Sequence, residues 1–370
     1  MRANVSQTLA REVMPAWGVG LPRPPYDAAV SRIGILTGGG DCPGLNAAIR
    51  GFVARAHGRH GAEVVGILDG WDGLMEGRVR TLDRDAVRGL LQRGGTILGT
   101  SRRDPYVHGE GAGSVAETVA REGLDALVVI GGDGTLRTAA RLVEEGVPVV
   151  GIPKSIDNDI AGTDVTIGFD TAVQIATEAI DRITTTAESH DRVMVVEVMG
   201  RTQGWIATHA GMAAGADAIL VPETPYDLAQ VAAVVRGRAS RGHRYSVVVV
   251  AEGVAPPAGA SVVAPVDAFG FERLGGVAAV VAARLEELTG FEARVTVLGH
   301  VQRGGVPTAR DRVLATRFGI HAADLAVEGR TGRMVALRAD VVTDVSLTEW
   351  VSTPRAIPDD QYDAARACFD

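Results

Sequence analysis

The stretch Ala126-Leu127-Val128-Val129-Ile130-Gly131-Gly132-Asp133-Gly134-Thr135-Leu136 decides the fold. An apolar run that stops at a glycine pair reads as a strand buried on both faces. A helix then continues to Glu145, and a second apolar run follows at 147–152. Strand, glycine turn, helix and strand at this spacing predict βαβ units in a parallel sheet. Asp133 sits among glycines at the carboxyl end of a strand and ahead of a helix. That position suits Mg2+ held on a nucleotide phosphate.

The same pattern stands upstream. Arg32-Ile33-Gly34-Ile35-Leu36-Thr37 reads as a buried strand running into Gly38-Gly39-Gly40-Asp41-Cys42-Pro43-Gly44, with a helix from Leu45. Such a turn aims backbone N–H groups and a helix N-terminus at phosphate. It is neither common phosphate loop. Pro43 stands where the dinucleotide spacing needs its third glycine, and at 94–101 Thr100 stands where the Walker spacing needs lysine. A strand at 63–68 leads to Asp69-Gly70-Trp71-Asp72-Gly73-Leu74, read as a turn. In Gly99-Thr100-Ser101-Arg102-Arg103, small residues ahead of paired arginines let guanidinium groups reach a closely held ligand. A solvated basic turn is the plainer reading of that segment.

Downstream of the 147–152 strand comes Gly151-Ile152-Pro153-Lys154-Ser155-Ile156-Asp157-Asn158-Asp159. Two carboxylates and a lysine crowd the end of one strand, where a general base beside a metal-linked phosphate would stand. An Asx-rich surface turn is the alternative. The second half repeats the style. A helix at 171–185 and a strand at 193–198 precede Met199-Gly200-Arg201-Thr202-Gln203-Gly204-Trp205. A helix at 206–214 follows, and a strand at 245–251 ends at Glu252-Gly253. Residues 255–270, rich in Ala, Pro and Gly, read as a flexible loop ahead of a helix at 275–288 and of Arg294 through Gly305.

The chain has 370 residues, enough for two domains at about 150 residues each. Its hydrophobic share of 46% and charged share of 22% are those of a globular protein. A net charge of −8 argues against nucleic acid or an anionic membrane as partner, so phosphate must be met by locally placed Arg, Lys and backbone N–H groups. Two cysteines, Cys42 and Cys368, make no disulfide framework, and Cys42 in its glycine turn reads as packing. No apolar run approaches the roughly 20 residues of a membrane span. Residues 1–30 lack a signal-peptide core and read as a partly disordered extension without assigned function. A cytoplasmic setting is expected.

Five motifs in order resemble the 6-phosphofructokinase family from Arg32 to the C-terminal helix. They are Leu36 through Asn46, Gly131 through Thr135, Pro153 through Asp159, Met199-Gly200-Arg201, and Leu298 through Gly305. The glycine–aspartate–glycine motif alone is shared with other kinases; the ordered set is specific. The resemblance implies an α/β fold of two doubly wound Rossmann-like domains, with mostly parallel sheets and the active site between them. Their expected extents are 31–168 with about 302–350 for nucleotide, and 169–301 with about 351–370 for sugar phosphate.

ATP would lie on Gly39, Arg102, Arg103, Gly132, Asp133, Gly134 and Thr135, with Mg2+ held by Asp133. Fructose 6-phosphate would be held by Ser155, Ile156, Asp157, Arg192, Met199, Gly200, Arg201, Glu252, Arg294, His300, Val301, Gln302 and Arg303. Asp157 is the expected base, Asp159 its support, and Arg201 the stabiliser of the phosphoryl group in flight. His300 reads as a ligand contact because Arg303 lies three residues on in a glycine-bounded turn; His190 reads as structural. In the family, residues matching Arg192 and Arg294 come from a neighbouring subunit, which implies a homo-oligomer, commonly a tetramer.

Two positions speak to the phosphoryl donor and disagree. Gly134 resembles the ATP-using enzymes, whereas pyrophosphate-using relatives carry aspartate there. Lys154 resembles the pyrophosphate type. Gly134 should dominate, because a carboxylate in the α-phosphate space excludes ATP by bulk and charge and an added lysine does not. A pyrophosphate-dependent enzyme is therefore the alternative, with a dinucleotide dehydrogenase more remote. Arg50 and Arg78 match basic positions of the family's effector pocket, but Thr184 stands where an effector-binding arginine is expected.

Overall fold

A computed structural model describes residues 31–107, 111–257, 275–350, 354–367 and 369. The expected extension at 1–30, most of the 255–270 loop and Cys368 lie outside the described residues.

The chain opens with β1 (Arg32–Gly38), α1 (Leu45–Arg55), β2 (Glu63–Ile67), α2 (Gly70–Glu76), β3 (Val79–Thr81) and α3 (Gly111–Arg121). Next come β4 (Ala126–Gly131), α4 (Asp133–Glu144), β5 (Val149–Pro153) and the long α5 (Phe169–His190). The middle of the chain holds β6 (Val193–Val198), α6 (Trp205–Ala213), β7 (Ala218–Leu220), α7 (Leu228–Ser240), β8 (Ser246–Ala251), α8 (Val277–Thr289) and β9 (Ala293–Val297). A 3-10 turn at Gly299–Arg303 leads to α9 (Ala309–Val327), β10 (Arg333–Arg338), β11 (Val341–Ser346), α10 (Leu347–Trp350) and α11 (Asp359–Arg366).

The strands form two sheets, as expected of an α/β chain with two doubly wound halves. The larger runs β11-β10-β5-β4-β1-β2-β3, parallel from β10 to β2 and antiparallel at both edges. The smaller runs β7-β8-β6-β9 and is parallel throughout. Strands β4, β6 and β8 are buried at every position, as largely apolar runs covered on both faces are; Glu197 of β6 is buried accepting from the Gly276 and Ala278 N–H groups. Strand β9 is an edge and exposes Val295 and Val297.

Chain order reverses about β1, which has β2 on one side and β4 on the other. In doubly wound sheets a ligand crevice opens at such a point, beyond the carboxyl ends of the strands. The helix that follows β1 packs on α9 with little between the backbones. A Cβ on Gly51 would fall 2.6 Å from the Thr316 carbonyl oxygen, and one on Gly319 would fall 2.2 Å from that of Ala48.

One expectation fails here. The segment Asp69 to Leu74, read as a turn, is mostly helix α2. Asp69 and Gly70 take positive φ (53° and 60°) and reverse the chain. Trp71 and Leu74, one helical turn apart, are then both buried and hold the short helix down.

Candidate active site

Three strand ends meet in register at the reversal. Gly38 of β1 pairs with Gly131 of β4, which pairs with Pro153 of β5. Both glycines are required by Thr135, since a Cβ on Gly38 or Gly131 would lie 2.7 or 2.4 Å from its side chain. Thr135 thereby packs beneath the two loops and turns the start of α4 toward the crevice. That helix begins at Asp133, and its Gly132 N-cap supplies no side-chain bond. Its first N–H groups are thus left for an anion. A Cβ on Gly134 would meet nothing within 4 Å.

The acidic turn after β5 is fixed by short bonds. Ser155 Oγ donates to Asp159 Oδ1 (2.6 Å) and accepts from the Asp157 N–H (3.2 Å). Asn158 takes φ 53° with its side chain buried; its Oδ1 accepts from the Thr166 N–H (3.0 Å), and Thr166 Oγ1 donates back to the Ser155 carbonyl (2.5 Å). Asp157 Oδ1 is enclosed without a protein partner. Burial, together with Asp159 and Glu252, pushes the Asp157 carboxyl up to about 7 against the pull of Arg303 and Lys154. A carboxyl with that pKa is half ionised near neutrality, where a general base works best.

Lys154 is 4% exposed and donates from Nζ to the Gly40 carbonyl. Its ammonium would lie 3.7 Å from a Cβ on Gly39 and 3.8 Å from one on Gly132, so it fills the crevice between the β1 and β4 loops. Burial lowers its pKa, with Arg303 adding to the effect. Arg303 reaches over the same loop, its Nη1 2.5 Å from where a Gly40 Cβ would be. Cys42 is fully buried, and its thiol is pushed up to about 12, foremost by burial. That is a packed, unreactive thiol.

The small sheet supplies the facing wall. Val198 of β6 pairs with Ala251 of β8, so Met199-Gly200-Arg201 and Glu252-Gly253 leave the sheet together. Gly253 has no room for a Cβ, which would lie 2.1 Å from the Arg201 carbonyl oxygen. Gln302, fully buried, accepts from the Met199 N–H (3.3 Å) and donates to the Gly299 carbonyl (3.0 Å). A cleft of about 1010 Å³ results, bounded by the Gly39 loop, Arg102 and Arg103, the start of α4, the acidic turn, Arg201 and Arg303.

The phosphofructokinase family model matches residues 32–326. The chain belongs to that family. It is 55% identical to an ATP-dependent 6-phosphofructokinase of Streptomyces coelicolor over 333 residues, 90% of this chain and 98% of the relative. It is 52% identical to one of Mycobacterium tuberculosis, over 91% of this chain and 99% of the relative. It is also 52% identical to a pyrophosphate–fructose 6-phosphate 1-phosphotransferase of Amycolatopsis methanolica, over 91% and 99%. Among solved structures, the phosphofructokinase of Pichia pastoris matches 94% of the chain at 34% identity and a TM-score of 0.79. The chain spans 37% of that longer protein.

Not all the residues assigned to this phosphofructokinase's site reach the cleft. Arg192 and Arg294 gather instead around Glu292, which accepts from Arg192 Nε at 2.7 Å and from Arg294 Nη2. They lie at the amino-terminal end of the small sheet, where Val193 pairs with Ala293, opposite the end that carries Met199 to Arg201. His300 and Val301 are exposed outside the cleft lining and Gln302 is buried behind it, whereas Ile156, though buried, lines the cleft.

Other lining residues carried no motif. Tyr106 and Arg141 meet with the guanidinium carbon 3.7 Å from the ring centroid, and Thr138 donates to Asp104 (2.8 Å). Their partners are more than thirty residues apart in the chain, so no local pattern could announce them.

Mg2+ fits Asp133. Burial and the charge of Asp159 raise its pKa, with Arg137 opposing, so a further cation would relieve it. Among the described residues no cluster of three or more His, Cys, Asp or Glu could hold a metal unaided. Mg2+ needs no such cluster when phosphate oxygens and water complete its shell.

Proposed function

We propose that this chain is an ATP-dependent 6-phosphofructokinase, transferring the γ-phosphoryl of ATP to the 1-hydroxyl of fructose 6-phosphate in glycolysis. What carries this reading is one arrangement: the acidic turn, with its partnerless Asp157 oxygen, faces the open N-terminus of α4 across a single cleft.

The α- and β-phosphates lie against the Gly39 loop, Thr135 and the first N–H groups of α4, with Arg102 and Arg103 alongside. Asp133 would hold Mg2+, which supplies charge neutralisation on the phosphate oxygens. Asp157 takes the proton from the 1-hydroxyl as the new O–P bond forms, and the bond to the β-phosphate oxygen breaks to release ADP. Ser155 holds Asp159 beside that base. Arg201 stabilises the charge on the phosphoryl group, a role worth about 10³–10⁵ in rate. Arg303, which lines the cleft, would meet the sugar phosphate, with Met199, Gly200 and Glu252 on the loops behind Arg201 and His300 on the adjoining exposed turn.

Gly134 supports ATP as donor, because the space over it is open where an aspartate would place a carboxylate. Lys154 favours the second reading, pyrophosphate, since its ammonium sits between the two phosphate loops. Relatives named for either donor share more than half their residues with this chain, so overall identity does not separate them. A coupled assay on the purified protein decides: ATP turnover should exceed pyrophosphate turnover at least about tenfold, and pyrophosphate rivalling ATP overturns the reading.

Arg192 and Arg294, paired at the far end of the small sheet, are offered to the cleft of a neighbouring copy, which makes the working enzyme an oligomer. The large sheet with α9 forms the nucleotide domain, 31–168 with about 302–350. The small sheet with α11 forms the sugar-phosphate domain. No described helix is long and apolar enough to cross a membrane, and a glycolytic kinase belongs in the cytoplasm.

A further inference from the structure

The chain returns to the cleft near its C-terminus, beyond every recognised motif. Pro354 bridges antiparallel to Ile160 and lines the cleft. The Arg355 N–H donates to the Asp159 carbonyl (2.8 Å), and its Nη1 donates to the Asp164 carbonyl (2.7 Å). The Arg355 carbonyl accepts from Trp205 Nε1 (2.9 Å), and its guanidinium carbon lies 4.3 Å from the centroid of the Trp205 ring.

Trp205 is 2% exposed and opens α6 four residues beyond Arg201. It is held edge-on by Phe169 and stacked on His209, so it is a fixed anchor. One residue thus grips the acidic turn with its backbone and the end of the opposite loop with its carbonyl and side chain. The bonds to Asp159 and from Trp205 Nε1 belong to the main chain of residue 355; what the side chain adds is the bond to the Asp164 carbonyl and a cation over the Trp205 ring.

We propose that Arg355 is a positioning residue for phosphoryl transfer, clamping the 157–159 turn to the Trp205 end of the loop that carries Arg201. The proposal rests on the roles given above to Asp157 and Arg201. Phosphoryl transfer depends on alignment more than on covalent chemistry, and a displacement of about 1 Å can cost about 10²-fold in rate. The clamp touches neither the Gly39 loop nor the start of α4, so nucleotide binding should not register its loss.

The test uses full-length Arg355→Ala, Arg355→Lys and Trp205→Phe beside Asp157→Asn, with kcat normalised to the folded fraction from thermal melts. Arg355→Ala should lower kcat about 10–10²-fold and leave KM for ATP within about twofold. Arg355→Lys, which keeps a donor for Asp164 and a cation over the ring, should recover most of the rate. Trp205→Phe, which keeps the ring and loses the N–H, should fall between. An Arg355→Ala enzyme with normal kcat per folded molecule overturns the clamp. So does a rise in KM for ATP that matches the fall in kcat, since that signals general loosening. A fully active Asp157→Asn enzyme would instead remove the base on which the clamp rests.

Discussion

The base proposed for the reaction, Asp157, would accept a proton near neutral pH, and its surroundings suit that. With its carboxyl raised to about 7 by burial, Asp159 and Glu252, kcat/KM should fall on an acid limb centred near that value as the base of the free enzyme becomes protonated. A pH–rate profile at fructose 6-phosphate well below KM reads this directly; an acid limb near 4 would contradict it. The same shift bears on stability. The folded carboxyl titrates near 7 and its reference value is 3.8, so the folded state holds the extra proton between the two. Stability is therefore lost as pH rises through that window, and the full penalty applies above it. Asp157→Asn should gain melting temperature over wild type from about pH 4 upward, level off above about pH 7, and lose about 10²–10⁴-fold in kcat. Gly134→Asp should abolish ATP use without harm to folding, because nothing in the protein occupies the space over Gly134.

At the scale of elements, one buried carboxylate of α9 caps the start of α5. Asp311, fully buried near the start of α9, accepts from the N–H groups of Gly168 (3.0 Å) and Thr171 (2.8 Å), and from Thr171 Oγ1 (2.6 Å), at the start of α5. Thr308 caps α9 and donates to Asp170 of α5 (2.5 Å). Asp311→Ala would strand buried donors, at about 1–3 kcal/mol for each group left unpaired. Urea unfolding should show the loss, and an unchanged midpoint would contradict it.

Much at this scale was legible in the sequence. β1, β4 and β6 follow from apolar runs ended by glycine, and the acidic turn lies within a few residues of one strand. The β10–β11 hairpin was not legible. Its turn places Ala339 and Asp340 at positive φ (45° and 67°), where Asn-Gly or Asp-Gly would have signalled it. A bond from the Ala339 N–H to Asp164 (2.8 Å) holds that turn from outside. Helix α2 was misread because Gly70 and Gly73 look like turn residues until Trp71 and Leu74 are seen buried. Tyr106, Arg141 and Pro354 were invisible as site residues because tertiary structure alone brings them to the cleft.

At the scale of the whole molecule, the cleft joins two sheets of different size, and two of the expected phosphate-binding arginines face away from it. If Arg294 serves a neighbouring copy, Arg294→Ala should raise KM for fructose 6-phosphate about tenfold or more, as expected for a lost charged hydrogen bond, with KM for ATP unmoved. Mixing Arg294→Ala and Asp157→Asn chains, followed by reassembly and assay at fructose 6-phosphate well below the raised KM, where each variant alone turns over slowly, should restore turnover at sites that combine an intact base with an intact arginine. No recovery on mixing would place Arg294 outside any shared site. The central claim, that the cleft passes phosphate from ATP to fructose 6-phosphate, meets its most direct test in turnover of the purified chain with fructose 6-phosphate and Mg2+, comparing ATP with pyrophosphate. ATP-driven formation of fructose 1,6-bisphosphate, with pyrophosphate at least about tenfold slower, is the predicted result; pyrophosphate turnover equal to or above that with ATP would contradict it.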